Sequence, residues 1–384
     1  MIHFPHHYPH YFKHRLNTQL RELYLTAAMM DFASSAITLF EPIYLWTLGY
    51  RIPEIMTFYL IVYAAYFWLV PLGGKFVARF GPERSIMVST GWLVVYFAAL
   101  ISIAGHPSLL YLAPVLFALQ KTFYWPAYHF DFIRWSEKQE RASEFSGLWT
   151  VTTMMYVLGP IIGGVIVKYF GFNALFIGAA AVILFSSLPL FVKREQKKVE
   201  SFSYWRSLVL PFRRRYWKNT IGYLGLGEEL IGMTVWPIFI LLVYGSVFDV
   251  GILVGISALL TSMATLVAGK MTDRVNKKRV LSISGVLQGA FWFLRLFTRV
   301  PAAVFGLDVA GRSIHNTVFV SISTQTYDRA HEDDYSWHGV YYEQGFAIAK
   351  SLMALLVILV ATSVDPFQAS FIIAGLVSFF YLVF

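Results

Sequence analysis

The chain reads as an all-α integral membrane protein, with twelve transmembrane helices forming two six-helix pseudo-repeats. Three observations predict this. Apolar residues make up 57% of the 384 residues and charged residues only 14%, against about 25% charge in a soluble domain. Apolar runs near the ~20 residues needed to cross ~30 Å of hydrocarbon recur along the whole length. The second half also repeats the first at a single offset of 195 positions. Gly74, Arg79 and Arg84 match Gly269, Arg274 and Arg279, and Pro42 matches Pro237. The run from Phe172 to Val182 matches that from Phe367 to Val377 at six of eleven positions. One offset holding at four places marks two copies of one unit.

Residues 1–21 are polar and carry His3, His6, His7, His10 and His14. No other good ligand stands nearby, so this stretch reads as a solvated cytoplasmic tail rather than a metal site. No short apolar core with a small-residue cleavage site precedes the first span, so no cleavable signal peptide is expected. The first half, 22–192, holds spans at roughly 22–48, 54–77, 85–104, 109–130, 146–168 and 172–192. A basic linker, 193–218, contains K-R-E-Q-K-K at 193–198 and Arg213, Arg214 and Arg215. It reads as a topology determinant joining the halves, with contact to anionic lipid as the alternative. The second half, 219–384, holds spans at roughly 219–244, 248–268, 280–298, 301–325, 339–361 and 366–383. Unsatisfied backbone groups are expensive in lipid, so each span should be helical.

The net charge of +9 does not point to nucleic acid, because its distribution is one-sided. About 24 of the 31 Lys and Arg fall in segments that share one face of the membrane, as the positive-inside rule requires. Arg51, Lys168 and Arg299 fall on the other. This places both termini in the cytoplasm of a multi-pass protein of the plasma or inner membrane. The absence of cysteine excludes disulfides, thiolate metal sites and a cysteine nucleophile. There is no H-E-x-x-H or G-x-S-x-G, and Ala264 and Met271 stand where a phosphate loop ending at Gly269-Lys270 needs glycine and Ser or Thr. Outer loops such as Gly105–Ser108 and Gly245–Val247 are too short for a catalytic domain. No enzyme, metal or cofactor is expected.

The turn Gly269–Arg279, G-K-M-T-D-R-V-N-K-K-R, lies between two apolar runs. It resembles the signature loop of the major facilitator superfamily, found between helices 2 and 3 and again, weaker, between helices 8 and 9. Here the second copy is the intact one, with Asp273, Arg274, Lys278 and Arg279, while Ala78 replaces the aspartate in the first. The resemblance covers the whole chain. It implies a secondary transporter whose halves rock around a midplane site lined by helices 1, 4, 7 and 10. A small organic solute and protons are the expected partners in the bilayer, with the chain acting as a monomer. Proton-coupled export by antiport is the first expectation. Import of a nutrient such as a sugar, nucleoside or organic anion is the alternative, and a transport-inactive sensor or scaffold a third.

Ionisable residues deep in a span cost at least ~2.5–3.5 kcal/mol and therefore ask for a partner or a wet cavity. At 1.5 Å per residue, Asp31 and Lys121 lie near the midplane in the first half. Glu228, Glu229 and Arg312 do so in the second. Each half thus offers an acid and a base at similar depth, and the expected pairs are Asp31 with Lys121 and Glu228 or Glu229 with Arg312. Burial raises a carboxyl pKa and a neighbouring cation lowers it, so separating such a pair would let the acid take a proton. Glu228 and Glu229 point about 100° apart, so only one is expected to face the cavity. Glu343 and Lys350, seven residues apart, share a face of span 11, where Lys350 serves an anionic substrate or pairs with an acid of span 7. Glu41 is a gate or an interfacial residue, Arg295 is expected to snorkel, and His129 with Asp131 to cap a helix end, with a proton relay as the alternative. Tyr124, Trp125 and Trp236 are expected to line the cavity and stack on ligand. Gly222, Gly225, Gly227 and Gly232 either loosen span 7 or pack it closely.

Two mechanical elements complete the reading. Gly159, Pro160, Gly163 and Gly164 resemble the core of an antiporter-associated motif of the same superfamily. Proline removes a backbone donor, which predicts a bend in helix 5, and the small residues are expected to let a neighbouring helix approach closely. Asp273 beside a helix N-terminus, with Arg274, is expected to latch the cytoplasmic face, which Ala78 cannot do.

Overall fold

The computed structural model describes residues 18–135, 142–187, 202–272, 277–330 and 335–384. The histidine-bearing tail, the basic run 193–198 and the expected Asp273–Arg274 latch lie outside the described residues. Every element among those described is helical. The first repeat contributes α1 (Thr18–Thr47), α2 (Ile52–Phe80), α3 (Pro82–Ser102), α4 (Leu109–Trp135) and α5 (Ala142–Ser187). A short helix, α6 (Tyr204–Val209), lies in the linker. The second repeat contributes α7 (Trp217–Leu224), α8 (Glu228–Met233), α9 (Val235–Tyr244), α10 (Val247–Thr272), α11 (Lys277–Arg295), α12 (Pro301–Ala330), α13 (Tyr335–Val360) and α14 (Pro366–Val377).

Six stretches among the described residues are long and apolar enough to cross a membrane. They are Ile52–Phe80, Pro82–Ser102, Thr152–Ser186, Trp217–Tyr244, Gly339–Val360 and Pro366–Val383. Twelve were expected. Outside those six, Val247–Met263 of α10 is apolar but shorter, while α4 and α12 are 27 and 30 residues long. They carry Gln120 and Lys121 in one and Asp308, Arg312 and His315 in the other, which lowers their apolarity. The α5 stretch also merges two expected spans. Gly171 breaks its helical geometry with φ 81° and ψ 172°. This is nearly the conformation of Gly81, φ 88° and ψ 166°, which separates α2 from α3. Such a positive φ favours glycine because it has no Cβ.

Pro160 does not break α5. Gly171 is the residue with non-helical φ and ψ there, and around Gly159-Pro160 the close helix approach also expected of these small residues is formed. A Cβ at Gly159 would strike Ser35 and the Phe32 carbonyl of α1. One at Gly163 would meet the Phe40 ring, and one at Gly251 of α10 would meet the Pro160 carbonyl. Small residues thus let α5 lie directly between α1 and α10, with Gly164 facing Phe248 and Gly251.

The two repeats meet along α5–α10 and α2–α13. They share one apolar core that includes Phe40, Tyr66, Phe176, Trp236, Val254 and Phe371. A second core holds Leu210, Tyr223, Tyr341 and Tyr381. The segment corresponding to expected span 7 is interrupted twice. A 3-10 turn spans Gly225–Gly227, and Thr234, with φ −119° and ψ −63°, separates α8 from α9. Its glycines also pack closely: Gly222 faces Phe384, Gly225 faces the Tyr381 ring, and Gly227 faces the Ala349 carbonyl of α13.

Candidate functional site: a buried polar network

The interruption before α8 delivers Glu228 into a buried cluster of donors. Glu228 is 1% exposed. Its Oε2 accepts from Trp292 Nε1 at 2.6 Å and Gln288 Nε2 at 3.0 Å, both on α11. Its Oε1 lies 2.7 Å from His315 Nδ1 of α12 and accepts from the Tyr381 hydroxyl at 3.3 Å. Gln288 and Trp292 are four apart and so share one face of α11. A carboxylate with four neutral or cationic donors is satisfied at a depth where an isolated one would not be.

Glu229 points elsewhere. Its Oε2 lies 3.3 Å from Lys350 Nζ of α13, which is 2% exposed. Lys350 also donates to the Tyr63 hydroxyl of α2 at 3.3 Å and sits 3.9 Å from the centroid of the Phe346 ring. Of the two roles open to Lys350, pairing with an acid of the interrupted helix is the one formed. Tyr63 belongs to the first repeat and Lys350 to the second, so this contact crosses between them. A second contact crosses about two turns earlier on α13. Glu343, which shares a face with Lys350, accepts from the Tyr66 hydroxyl of α2 at 2.8 Å. Its other oxygen lies 2.7 Å from His129 Nε2 of α4. His129 is therefore a buried inter-repeat partner, not a helix-end cap.

The pairing of Glu228 or Glu229 with Arg312 does not form. Arg312 directs Nε to both oxygens of Asp308, at 2.8 and 3.0 Å, one turn earlier on α12. Asp308 is fully buried and also accepts from Trp236 Nε1 at 2.8 Å. Trp236 is thus a buried support rather than a cavity wall. Arg295 does not snorkel. Its guanidinium is buried between the Trp236 and Trp292 rings, 4.2 and 3.8 Å from their centroids. A Cβ at Gly311 would meet Arg295 Nη2, so the guanidinium would have to shift.

Asp31 and Lys121 do not pair either. Thr152 of α5 hydrogen-bonds to Asp31. The Lys121 ammonium sits among the rings of Phe117, Tyr63 and Trp125, 4.8–5.8 Å from their centroids. Both lysines, Lys121 and Lys350, thus flank the Tyr63 ring. Tyr124 stacks with Tyr128, and Trp125 meets Tyr128 edge-on. Glu41 is buried and accepts from the Tyr59 hydroxyl at 2.7 Å.

The basic-turn residues lie apart from this network. Arg79 is exposed over the Phe80 ring at 5.1 Å, and Arg84, Lys278 and Arg279 are exposed. Gly74 is buried at the α2–α13 contact, where a Cβ would meet Phe202 of the linker and Val340. Gly269 lies within α10, and the side chains of Asp273 and Arg274 are outside the described residues.

His315, Asp308, Gln288, Trp292, Tyr66 and His129 were not singled out as site residues by the sequence. Asp308 and Arg312 did carry a local signal, the i,i+4 spacing of an acid and a base on one helix. The others come from separate helices, and no spacing joins them.

The geometry defines a multi-pass helical membrane protein, built as two repeats, with titratable residues buried where the repeats meet. A family model for the Major Facilitator Superfamily matches the chain twice, over residues 23–224 and 220–384. The chain belongs to the major facilitator superfamily, and is a membrane transporter of that family. No curated protein sequence matches it.

Proposed function

We propose that the chain is a secondary active transporter that works by alternating access and is coupled to protons. Twelve spans form two rocking halves, 22–192 and 219–384, with both termini in the cytoplasm of the plasma or inner membrane. The observation that carries this reading is the chemistry of the inter-repeat contacts. Glu343 with His129 and Tyr66, and Lys350 with Tyr63, join the repeats through polar groups that can part and be resolvated, unlike an interlocked apolar core. Glu228 with His315 lies beside these contacts and within the second repeat. A carboxylate–imidazole pair holds one proton between two groups, and His titrates near neutral pH when unperturbed. Movement of Lys350 away from Glu229 would change the charge beside His315 and so its proton occupancy.

Export of a small organic compound by a monomer, in exchange for protons, is the direction we assign. It draws on the resemblance of Gly159-Pro160 and Gly163-Gly164 to the antiporter motif. Import of a sugar, nucleoside or organic anion is the competing direction. Proton release on adding candidate compounds to purified protein tests the coupling. The expected result is a pH change in the wild type that disappears in Glu228→Gln. Substrate binding with no proton movement would refute proton coupling.

A further inference from the structure

The linker between the repeats is tied to both of them. α6 starts at Ser203, whose hydroxyl accepts from the Arg206 amide at 3.4 Å, and it runs into a 3-10 turn at Leu210–Phe212. The Tyr204 hydroxyl donates to the Trp68 carbonyl of α2 at 3.0 Å. Three residues on, the Ser207 hydroxyl donates to Gln344 Oε1 of α13 at 3.3 Å. Ser207, Leu208, Leu210 and Pro211 are buried, with Leu210 in the second core beside Tyr223 and Tyr341. The segment is therefore a strap laid across α2 and α13. Gln344 follows Glu343 in the chain, so the strap is fastened next to the polar contact that Glu343 makes with Tyr66 and His129.

The other face of the strap is apolar and uncovered. Trp205, Val209 and Phe212 stand at i, i+4 and i+7, one stripe of a helix, and are 74%, 52% and 69% exposed. Trp205 meets Tyr204 edge-on and Phe212 meets Phe67 edge-on, with centroids 5.1 and 6.3 Å apart. Counted from Ile52, a rise of 1.5 Å per residue puts Trp68 about 24 Å and Gly74 about 33 Å along α2. Phe202 of the linker packs at Gly74. These levels bracket the edge of a ~30 Å hydrocarbon core, where Trp and Tyr concentrate. Charge follows at once. Arg213 and Arg214 come directly after Phe212, are exposed, and form no ion pair among the described residues. No acidic residue occurs from 201 to 227.

An exposed apolar stripe at the hydrocarbon edge, ending in unpaired arginines with no acid nearby, matches a molecule with acyl chains and an anionic head. We propose that the strap is a binding site for an anionic phospholipid. The acyl chains lie against Trp205, Val209 and Phe212, and the phosphate is held by Arg213 and Arg214. A lipid held there keeps the strap fastened to α2 and α13, and so braces this edge of the seam against opening. The leaflet is the cytoplasmic one, which rests on the proposed orientation of the chain.

The test is native mass spectrometry of the purified full-length chain given equimolar palmitoyl-oleoyl phosphatidylglycerol and phosphatidylcholine. The first lipid retained should be phosphatidylglycerol, preferred about tenfold. Arg213→Gln/Arg214→Gln should cut that preference at least about threefold, while Arg79→Gln/Arg84→Gln, which removes the same charge from exposed positions elsewhere, should leave it within about twofold. Soluble glycerol phosphate should not displace the lipid. No preference in the wild type, equal loss in the two double variants, or displacement by glycerol phosphate would overturn the site. The wild-type comparison decides the matter even if a variant does not fold. Bracing is read from spin labels at Arg84→Cys and Arg279→Cys in nanodiscs. Phosphatidylglycerol should enrich the shorter distance relative to pure phosphatidylcholine, and Tyr204→Phe/Ser207→Ala should abolish that difference. Identical distances in both lipids would overturn the bracing. Lipid preference is measured without transport or a change of pH, so its failure leaves the alternating-access reading standing.

Discussion

Removing one member of a buried cluster exposes the others, and the size of the penalty depends on which atoms are left unpaired. Glu228 accepts from Trp292, Gln288 and Tyr381 and faces His315. Glu228→Gln keeps an acceptor oxygen, whereas Glu228→Ala leaves every donor bare. Thermal unfolding in detergent should therefore place the midpoint of Glu228→Ala well below that of Glu228→Gln. A similar asymmetry holds for Lys350, the cation beside Glu229. Lys350→Met strands a carboxylate and should destabilise by about 3–5 kcal/mol, while Glu229→Leu/Lys350→Met recovers most of the loss. A double-mutant cycle on denaturant midpoints checks both. Depth along a helix was enough to mark Asp31, Glu228, Glu229 and Lys350 as residues needing partners, because rise per residue is fixed. Which partners they take depends on helix rotation and on which helices touch. That is why Asp31 meets Thr152 instead of Lys121, and Arg312 meets Asp308 instead of either glutamate.

At the scale of the helix, glycine decides which elements touch. Gly251 of α10 lies so close to the Pro160 carbonyl of α5 that a Cβ there has no room. Gly178, also in α5, has nothing within 4 Å of such a Cβ. Gly251→Leu should therefore destabilise by about 1–3 kcal/mol or more through overpacking. Gly178→Ala should change stability by no more than about 1 kcal/mol, in the stabilising direction that helix propensity favours. Unfolding midpoints of the two variants check the contrast. The run Gly159-Pro160-Ile161-Ile162-Gly163-Gly164 was legible as a place of close helix approach, and its small residues make the α1–α5–α10 contact. The glycines before Glu228 serve both readings open to them, since they form a 3-10 turn and also admit Phe384, Tyr381 and α13.

At the scale of the molecule, the repeat at 195 positions was visible because helix-breaking and basic-turn residues sit at fixed places in each copy. The family match in two segments, 23–224 and 220–384, agrees with that division. Polar site residues make α4 and α12 look less like membrane helices than their length suggests. Between the copies, Glu343 holds His129 and Tyr66 across the seam of α13 with α4 and α2. Glu343→Gln removes the charge from that contact, so it should favour the state in which this end of the seam is open.

The most direct measurement is the distance between spin labels on cysteines introduced into a chain that has none of its own. One pair, Arg84→Cys and Arg279→Cys, reports on the side assigned to the cytoplasm, and a second, Arg51→Cys and Arg299→Cys, on the opposite side. All four positions are exposed. Alternating access predicts two distance populations for each pair, which change in opposite senses when the pH is lowered from about 8 to about 5, across the range in which histidine titrates. The Glu228→Gln variant should no longer respond to pH, and Glu343→Gln should enrich the longer Arg84–Arg279 distance. A single distance for each pair, unchanged by pH and by both substitutions, would contradict a transporter whose halves rock about this buried network.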